Sequence, residues 1–258
     1  MSHGKLTMIQ IVSKTMEALN LDEVNSISDS PDAEQIAQIA QDSAYELLNQ
    51  SEWPFSIRYA QLESIADSAR PNYLRIPDEV TRIDYVRYDK TDPANQDANL
   101  VDLVEIDTIE WLAPEQFLEM TLLRNTQVAE ISTITDFNGA RYHIYTDRGP
   151  SYWTSFDDEY IVFDAYDSDI ESTLQGNKSQ VHVKWIEDIV ISDDFQLDAP
   201  AHFFSTWLAD VKSTAFIYLK QESSPKDEQR ARRGLSVLRR NASRTDNDDG
   251  RIRYGRRK

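Results

Sequence analysis

Residues Ser30 to Asn49 read SPDAEQIAQIAQDSAYELLN, and this stretch sets the expected fold. Ser30 stands as a helix N-cap, Pro31 takes the first helical position, and Asp32 and Glu34 put acid in the first turn. Ile36, Ile39, Ala40, Ser43, Ala44, Leu47 and Leu48 then recur at spacings of three and four, which is one face of a helix. Trp53-Pro54-Phe55 closes the segment, because Pro54 cannot continue the backbone ladder. Upstream, Leu6, Ile9, Val12, Met16 and Leu19 repeat the same spacing, with a loop from Asn25 to Asp29 between the two runs. Two short amphipathic helices joined in this way are expected to pack as an antiparallel hairpin.

The far end of the chain mirrors this pattern. After Asp198-Ala199-Pro200, a stripe of Phe203, Trp207, Val211, Ala215 and Tyr218 is flanked by Phe204, Leu208 and Leu219. So wide an apolar face predicts a helix buried on more than one side. Ser224-Pro225-Lys226-Asp227 restarts a second helix with a cap, a proline and a reciprocating acid. Its apolar stripe is narrow (Ala231, Leu235, Leu238, Ala242), and the rest carries Arg230, Arg232, Arg233, Arg239 and Arg240.

Between Ile57 and Leu197 the texture changes. Ile83, Tyr85 and Arg87 alternate with Asp84, Val86 and Tyr88, a period of two that fits a half-buried strand. Arg141 to Tyr145, Tyr160 to Phe163 and Val181 to Trp185 read the same way, with turns at Asn138-Gly139 and Asp157-Asp158. One helix interrupts, opening at Pro114 and running through Phe117, Leu118, Met120, Thr121 and Leu122.

The expected fold class is therefore α+β: a helical bundle formed by N-terminal and C-terminal helix pairs, with an inserted, mainly antiparallel β domain. The expected divisions are residues 1–56 and 198–243 for the two helix pairs, 57–197 for the β domain and 244–258 for a flexible basic tail.

Charge is divided along the chain. The net charge is −18 over 258 residues, yet residues 224–258 hold 12 Lys/Arg against 5 Asp/Glu. Residues 1–223 hold 15 basic and 40 acidic side chains. An acidic body repels nucleic acid, while a basic arm seeks carboxylates or phosphates. Arginine suits carboxylates, because its planar fork holds them with two hydrogen bonds.

There is no cysteine, which excludes disulfides, thiolate nucleophiles and cysteine-bound zinc. No apolar run approaches the ~20 residues of a membrane-spanning helix, and the opening residues lack a signal peptide's apolar stretch. Synthesis in the cytoplasm is expected. His3, His143, His182 and His202 sit in no recognisable catalytic setting, and no Gly-x-Ser-x-Gly, Walker or dinucleotide-binding loop occurs among the seven glycines. Asp157-Asp158-Glu159 and Asp246-Asn247-Asp248-Asp249-Gly250 lack the ligand alternation of a calcium loop. Paired carboxylates about 5–10 Å apart across a sugar cleft are the remaining catalytic option. Glu52 beside Trp53 and Asp157 beside Trp153 are its candidates. No catalytic residue, cofactor or metal is expected.

Several segments in order resemble the phage head-to-tail adaptor family, the tail tubular protein A or connector-ring proteins of short-tailed phages. They are Leu6 to Val12 through Ala18-Leu19, Val24-Asn25-Ser26-Ile27, and the second helix closing on Trp53-Pro54-Phe55. Arg75 to Val80, Tyr152 to Asp164 and the helix pair from Pro200 to Ala242 follow, so the likeness spans about residues 5–243.

The resemblance implies a homo-oligomeric ring, usually of about twelve subunits, at the head–tail junction of the virion. Such a ring docks on the portal protein above, meets a tail nozzle protein below, and passes DNA without binding it specifically. Carried onto this chain, portal contacts fall on the arm: Arg230, Arg232, Arg233, Leu235, Leu238, Arg239, Arg240, Arg251, Arg253, Tyr254, Arg256 and Arg257. Some relatives act on cell walls, so the alternative is a virion-associated peptidoglycan hydrolase using paired carboxylates.

Overall fold

The computed structural model describes residues 4–91 and 106–246. The chain divides into two compact units, one of Met1–Ile57 with Ile186–Lys258 and one of Arg58–Trp185.

In the first unit the helix signals act as physical chemistry requires. Helix α1 (Met8–Ala18) buries Met8, Ile11, Val12 and Met16. Helix α2 (Pro31–Asn49) starts where the Ser30 hydroxyl accepts the backbone N–H of Ala33 at 3.1 Å. It ends at Asn49, four residues before Trp53. A 3-10 turn, Ile27–Asp29, lies between these two helices.

Further along the chain come α4 (Ala201–Lys220) and α5 (Pro225–Asp246). Trp207 of α4 is buried and donates its indole N–H to the carbonyl of Ala40 at 2.9 Å, which ties α4 to α2. The apolar width of α4 is only partly used. Phe203, Phe204, Trp207 and Val211 are in the core, while Ile217 and Tyr218 are 55% and 67% exposed.

Asp210 is a polar exception in this packing. It is half-buried between α2 and α4 and accepts the Ser43 hydroxyl at 2.6 Å. Burial raises its carboxyl above the usual range, with Glu46 adding repulsion and the Ser43 hydrogen bond opposing it. A carboxyl raised on folding binds its proton more tightly in the folded state. Its presence therefore favours the fold at low pH, and that advantage is lost as pH rises through the folded value. Asp210→Asn keeps an acceptor for Ser43 and removes the buried charge. It should raise Tm at pH 7 by roughly 1–3 °C, with the gain closing below about pH 4. A gain that persists undiminished at low pH would assign the effect to something other than ionisation.

The second unit is built on one sheet of eight strands in the order β1-β10-β4-β5-β8-β9-β3-β2. Its strands are β1 (Ile57–Ala60), β2 (Glu63–Ser64), β3 (Tyr73–Arg75), β4 (Val80–Asp89), β5 (Ile106–Trp111), β8 (Tyr152–Thr154), β9 (Tyr160–Phe163) and β10 (Ser179–Trp185). The β5–β8 pair is parallel, and the β10–β4, β4–β5, β8–β9, β9–β3 and β3–β2 pairs are antiparallel. A separate hairpin pairs β6 (Ile131–Thr135) with β7 (Arg141–Tyr145), and α3 (Pro114–Leu122) places Phe117 in a core with Tyr142 and Ile144.

Strands β1 and β2 are consecutive in sequence yet occupy opposite ends of the strand order, so the sheet must curl. The seam is closed by the Leu62 N–H donating to the Ser179 hydroxyl at 2.8 Å and by Ser64 donating to the carbonyl of Leu174 at 3.1 Å. Leu74, Val86, Tyr88, Ile109, Ile161, Phe163, Val181 and Val183 fill the inside.

The expected helical bundle with an inserted β domain is therefore corrected. The curled eight-stranded sheet dominates the molecule, and the five α-helices do not form a bundle that the sheet merely interrupts. Period-two patterning identified four strand segments, whereas the short β1, β2, β3, β5, β6 and β8 went unread. Strands this short carry few alternations, so a reading by period finds some, such as β7 and β9, and passes over others.

Candidate functional site

The candidate site is the surface of α5. This helix begins with the Ser224 hydroxyl donating to the Asp227 carboxylate at 2.7 Å, while the carbonyl of Ser224 accepts the N–H groups of Asp227 and Glu228. Ala231 and Leu238 are buried, Leu238 in the main core of the unit, and Leu235 is half-buried against that core. Gly234 allows α5 to approach α4 closely, since a Cβ there would lie 2.4 Å from the Thr206 hydroxyl oxygen. Of the residues expected to meet a partner, Leu238 thus serves the fold of its own unit.

The arginines face solvent. Arg230, Arg232, Arg233, Arg239 and Arg240 are all exposed. Arg232 pairs with Glu228 one turn before it, and Arg239 donates to the side-chain oxygen of Gln50, the C-cap of α2, at 3.1 Å. Arg230 and Arg233 have no hydrogen-bond or ion-pair partner among the described residues. Arg251, Arg253, Tyr254, Arg256 and Arg257 lie outside the described residues.

The tryptophan–carboxylate candidates are placed differently from a sugar cleft. Trp53 is buried and donates its indole N–H to the carbonyl of Leu47 at 2.7 Å, and Trp153 is buried in the sheet core. One oxygen of Asp157 accepts the N–H groups of Glu159 and Tyr160 at 3.0 and 3.1 Å, so this acid shapes its turn. Among the described residues no group of three or more metal-binding side chains occurs.

Three buried carboxylates went unrecognised in the sequence because nothing marks which of 45 acids will be enclosed. Asp136 accepts the Tyr73 hydroxyl at 2.7 Å. Asp164 pairs with Arg124 at 2.7 Å. Glu171 accepts the Tyr88 hydroxyl at 2.6 Å and stands 3.3 Å from Lys178 Nζ, an ion contact rather than a hydrogen bond. Burial beside these acids drives the Tyr73 and Tyr88 hydroxyls far above the usual phenol range. The cavity beside Glu171 holds about 10 Å³, room for no more than one water and none for a sugar ring.

One polar cluster on the sheet was also missed. A bulge between His182 and Val183 leaves Asp84 out of register, and its carboxylate sits 2.9 Å from His182 Nδ1. Arg82 Nε donates to the same acid at 2.9 Å, and the His182 ring stacks on Tyr85 at 5.1 Å with Tyr59 at its other neighbour position, 5.2 Å away. A bulge shifts one residue, and alternation alone does not announce it. His143 Nδ1 lies 3.0 Å from the Thr133 hydroxyl, and His202 is exposed in the first turn of α4. His3 is outside the described residues.

No helix among the described residues is long and apolar enough to cross a membrane. No protein-family model matches the chain, and no curated protein matches its sequence significantly.

Proposed function

We propose that the protein is a structural subunit of a phage particle: a ring-forming head-to-tail adaptor that docks on the portal and joins it to the tail nozzle. The observation that carries this reading is the surface of α5. Its arginines are held out to solvent on a helix anchored by Leu238, in a chain whose net charge is −18. A rigid cationic ridge is suited to an acidic protein surface, and the acidic remainder of the chain is suited to a channel along which DNA slides without sticking. The segmental resemblance from residue 5 to residue 243 supplies the identity of the partners. The arm from Arg230 to Lys258 meets the portal, and the strand-rich unit meets the nozzle. In this role the protein works in the virion, after synthesis in the bacterial cytoplasm, and acts by geometry rather than catalysis. No placement of carboxylates among the described residues favours the alternative of a peptidoglycan hydrolase.

Mass photometry of the purified chain, alone and mixed with its portal, tests the proposal. Deleting α5 would uncover the core around Leu238, so the informative truncation removes residues 247–258 and is combined with Arg232→Ala and Arg239→Ala. The intact chain should give one discrete portal complex of fixed stoichiometry, and the shortened variant should lose at least tenfold in affinity. A chain that ignores the portal ends the adaptor reading.

A further inference from the structure

Within the helical unit, α2 and α5 leave faces of opposite charge to solvent. Helix α2 buries Ala33, Ile36, Ala40, Ala44 and Leu47. It exposes Asp32, Glu34, Asp42 and Glu46 among amides, and it carries no lysine or arginine anywhere along its length. The carboxylates of Asp32, Glu34 and Asp42 have no partner among the described residues. On α5 the helical period sorts the arginines into two sides. Arg232 and Arg239 share one side, where both are already engaged within the unit. Arg230, Arg233, Val237 and Arg240 share the other; Arg240 is engaged, Arg230 and Arg233 have no partner among the described residues, and Val237 is 52% exposed. Arginine is enriched in protein interfaces, and Val237 gives this side one apolar contact beside its cations.

Gln50 links the two helices within one copy, accepting from Arg239 at 3.1 Å and donating to Glu46 at 2.9 Å. No ion pair among the described residues joins α2 to α5, so Glu34 and Asp42 on one helix and Arg230 and Arg233 on the other remain without partners there. We infer that α5 of one copy docks through Arg230, Arg233 and Val237 onto the acidic face of α2 of a second copy, around Glu34, Asp42 and Glu46. The rise of a helix, about 1.5 Å per residue, places Arg230 and Arg233 about 4.5 Å apart along one axis and Asp42 and Glu46 about 6 Å apart along the other, which permits two pairs at once. The two patches differ, so the contact is heterologous and propagates head to tail until it closes or extends. Exposed ion pairs are individually weak and are screened by salt, so the chain alone should associate weakly and lose association as ionic strength rises. This deepens the ring proposed above and rests on it for one point only, that copies sit side by side. It narrows the portal arm proposed above: Arg230 and Arg233 go to the neighbouring subunit instead, and the opposite side of α5 with residues 247–258 is left to the portal.

Charge exchange tests the contact. The full chain is compared by sedimentation velocity with two exposed-face variants, Asp42→Arg with Glu46→Arg and Arg230→Glu with Arg233→Glu, after circular dichroism has confirmed that both are folded. At about 20 mM salt the natural chain should self-associate, with its association constant falling at least tenfold by about 500 mM. Each variant alone should be monomeric, because its two faces now carry the same sign. Their mixture should associate again, because every contact between unlike copies is attractive.

A natural chain that stays monomeric at low salt overturns the inference, as does a variant that associates alone or a mixture that remains monomeric. Nucleic acid as the true occupant of the arginines would leave the α2 variant unaffected, and that result also overturns it. Portal binding is read separately. A chain that assembles on the portal but disregards the charge exchange defeats only this inference, and a chain that obeys the exchange but ignores the portal defeats only the adaptor reading.

Discussion

Arg124→Ala is expected to destabilise the strand-rich unit by about 3–5 kcal/mol, the range for breaking a buried ion pair by removing one partner. The side chains of Arg124 and Asp164 are 8% and 5% exposed. Arg124 Nη2 donates to Asp164 Oδ2 at 2.7 Å, and Nη1 donates to the carbonyls of Asp164 and His143 at 2.6 and 3.1 Å. The other carboxylate oxygen accepts the N–H groups of Ser151 and Tyr152 at 2.9 and 2.8 Å. The ring of Tyr145 lies against two guanidinium groups, Arg124 at 4.2 Å and Arg148 at 4.1 Å. One residue thus ties the segment after α3 to the ends of β7, β8 and β9.

Alanine at position 124 strands a buried carboxylate oxygen and takes a donor from two carbonyls, of which that of Asp164 keeps the Tyr145 N–H at 3.3 Å. Asp164→Asn should cost nearly as much, because an amide nitrogen placed at Oδ2 would turn a donor toward the donors of Arg124. Urea unfolding of both variants measures this. A loss below about 1 kcal/mol for Arg124→Ala would mean that water reaches the pair and that it carries little of the fold.

Gly176→Ala should be comparably severe, with a loss of at least about 3 kcal/mol. Gly176 opens the 3-10 turn Gly176–Lys178 at the seam of the curled sheet. A Cβ there would lie 2.0 Å from the carbonyl oxygen of Leu62 and 3.2 Å from the backbone nitrogen of Ser64. Both obstacles are backbone, so no rotamer change relieves the overlap, and the seam itself must open. The buried Ser179 hydroxyl, which donates to the carbonyl of Gly176 at 2.5 Å and accepts the Leu62 N–H, would lose its geometry as well. At about 2–4 °C per kcal/mol, Tm should fall by roughly 6–12 °C. Gly139→Ala is the internal contrast. It meets nothing within 4 Å but sits at φ +83°, so it should show the smaller effect of backbone strain alone. Equal Tm values for the Gly176 variant and the natural chain would show that the seam yields easily and is not what holds the curl.

Local signals in the sequence were reliable wherever one segment's own chemistry decides the outcome. Ser30-Pro31 and Ser224-Pro225 start α2 and α5, and Pro114 starts α3; in α1 the spacing finds Val12 and Met16 but passes over buried Met8, Ile11 and Thr15, while Leu6 and Ile9 are only partly buried. The arginine face of α5 was legible for the same reason, since a helix sorts its residues by period whatever lies around it.

Assembly was not legible. Alternation in β4 and β10 marks them as strands but says nothing of their being neighbours, nor of the bulge that brings Asp84 to His182. The parallel β5–β8 pair joins segments about forty residues apart, and the short β3 pairs with β9, some ninety residues on. A hydrogen-bonded ladder is satisfied between strands rather than within them, so its order and register depend on the whole chain.

What the sequence determined by itself, then, is where α2, α3 and α5 begin, which face α2 buries, and the division between an acidic body and a basic arm. Only the tertiary structure decided that a curled eight-stranded sheet dominates, that a bulge brings Asp84 to His182, and that Arg124 and Asp164 meet. Those outcomes rest on pairings between residues far apart in the chain, and no local period encodes them.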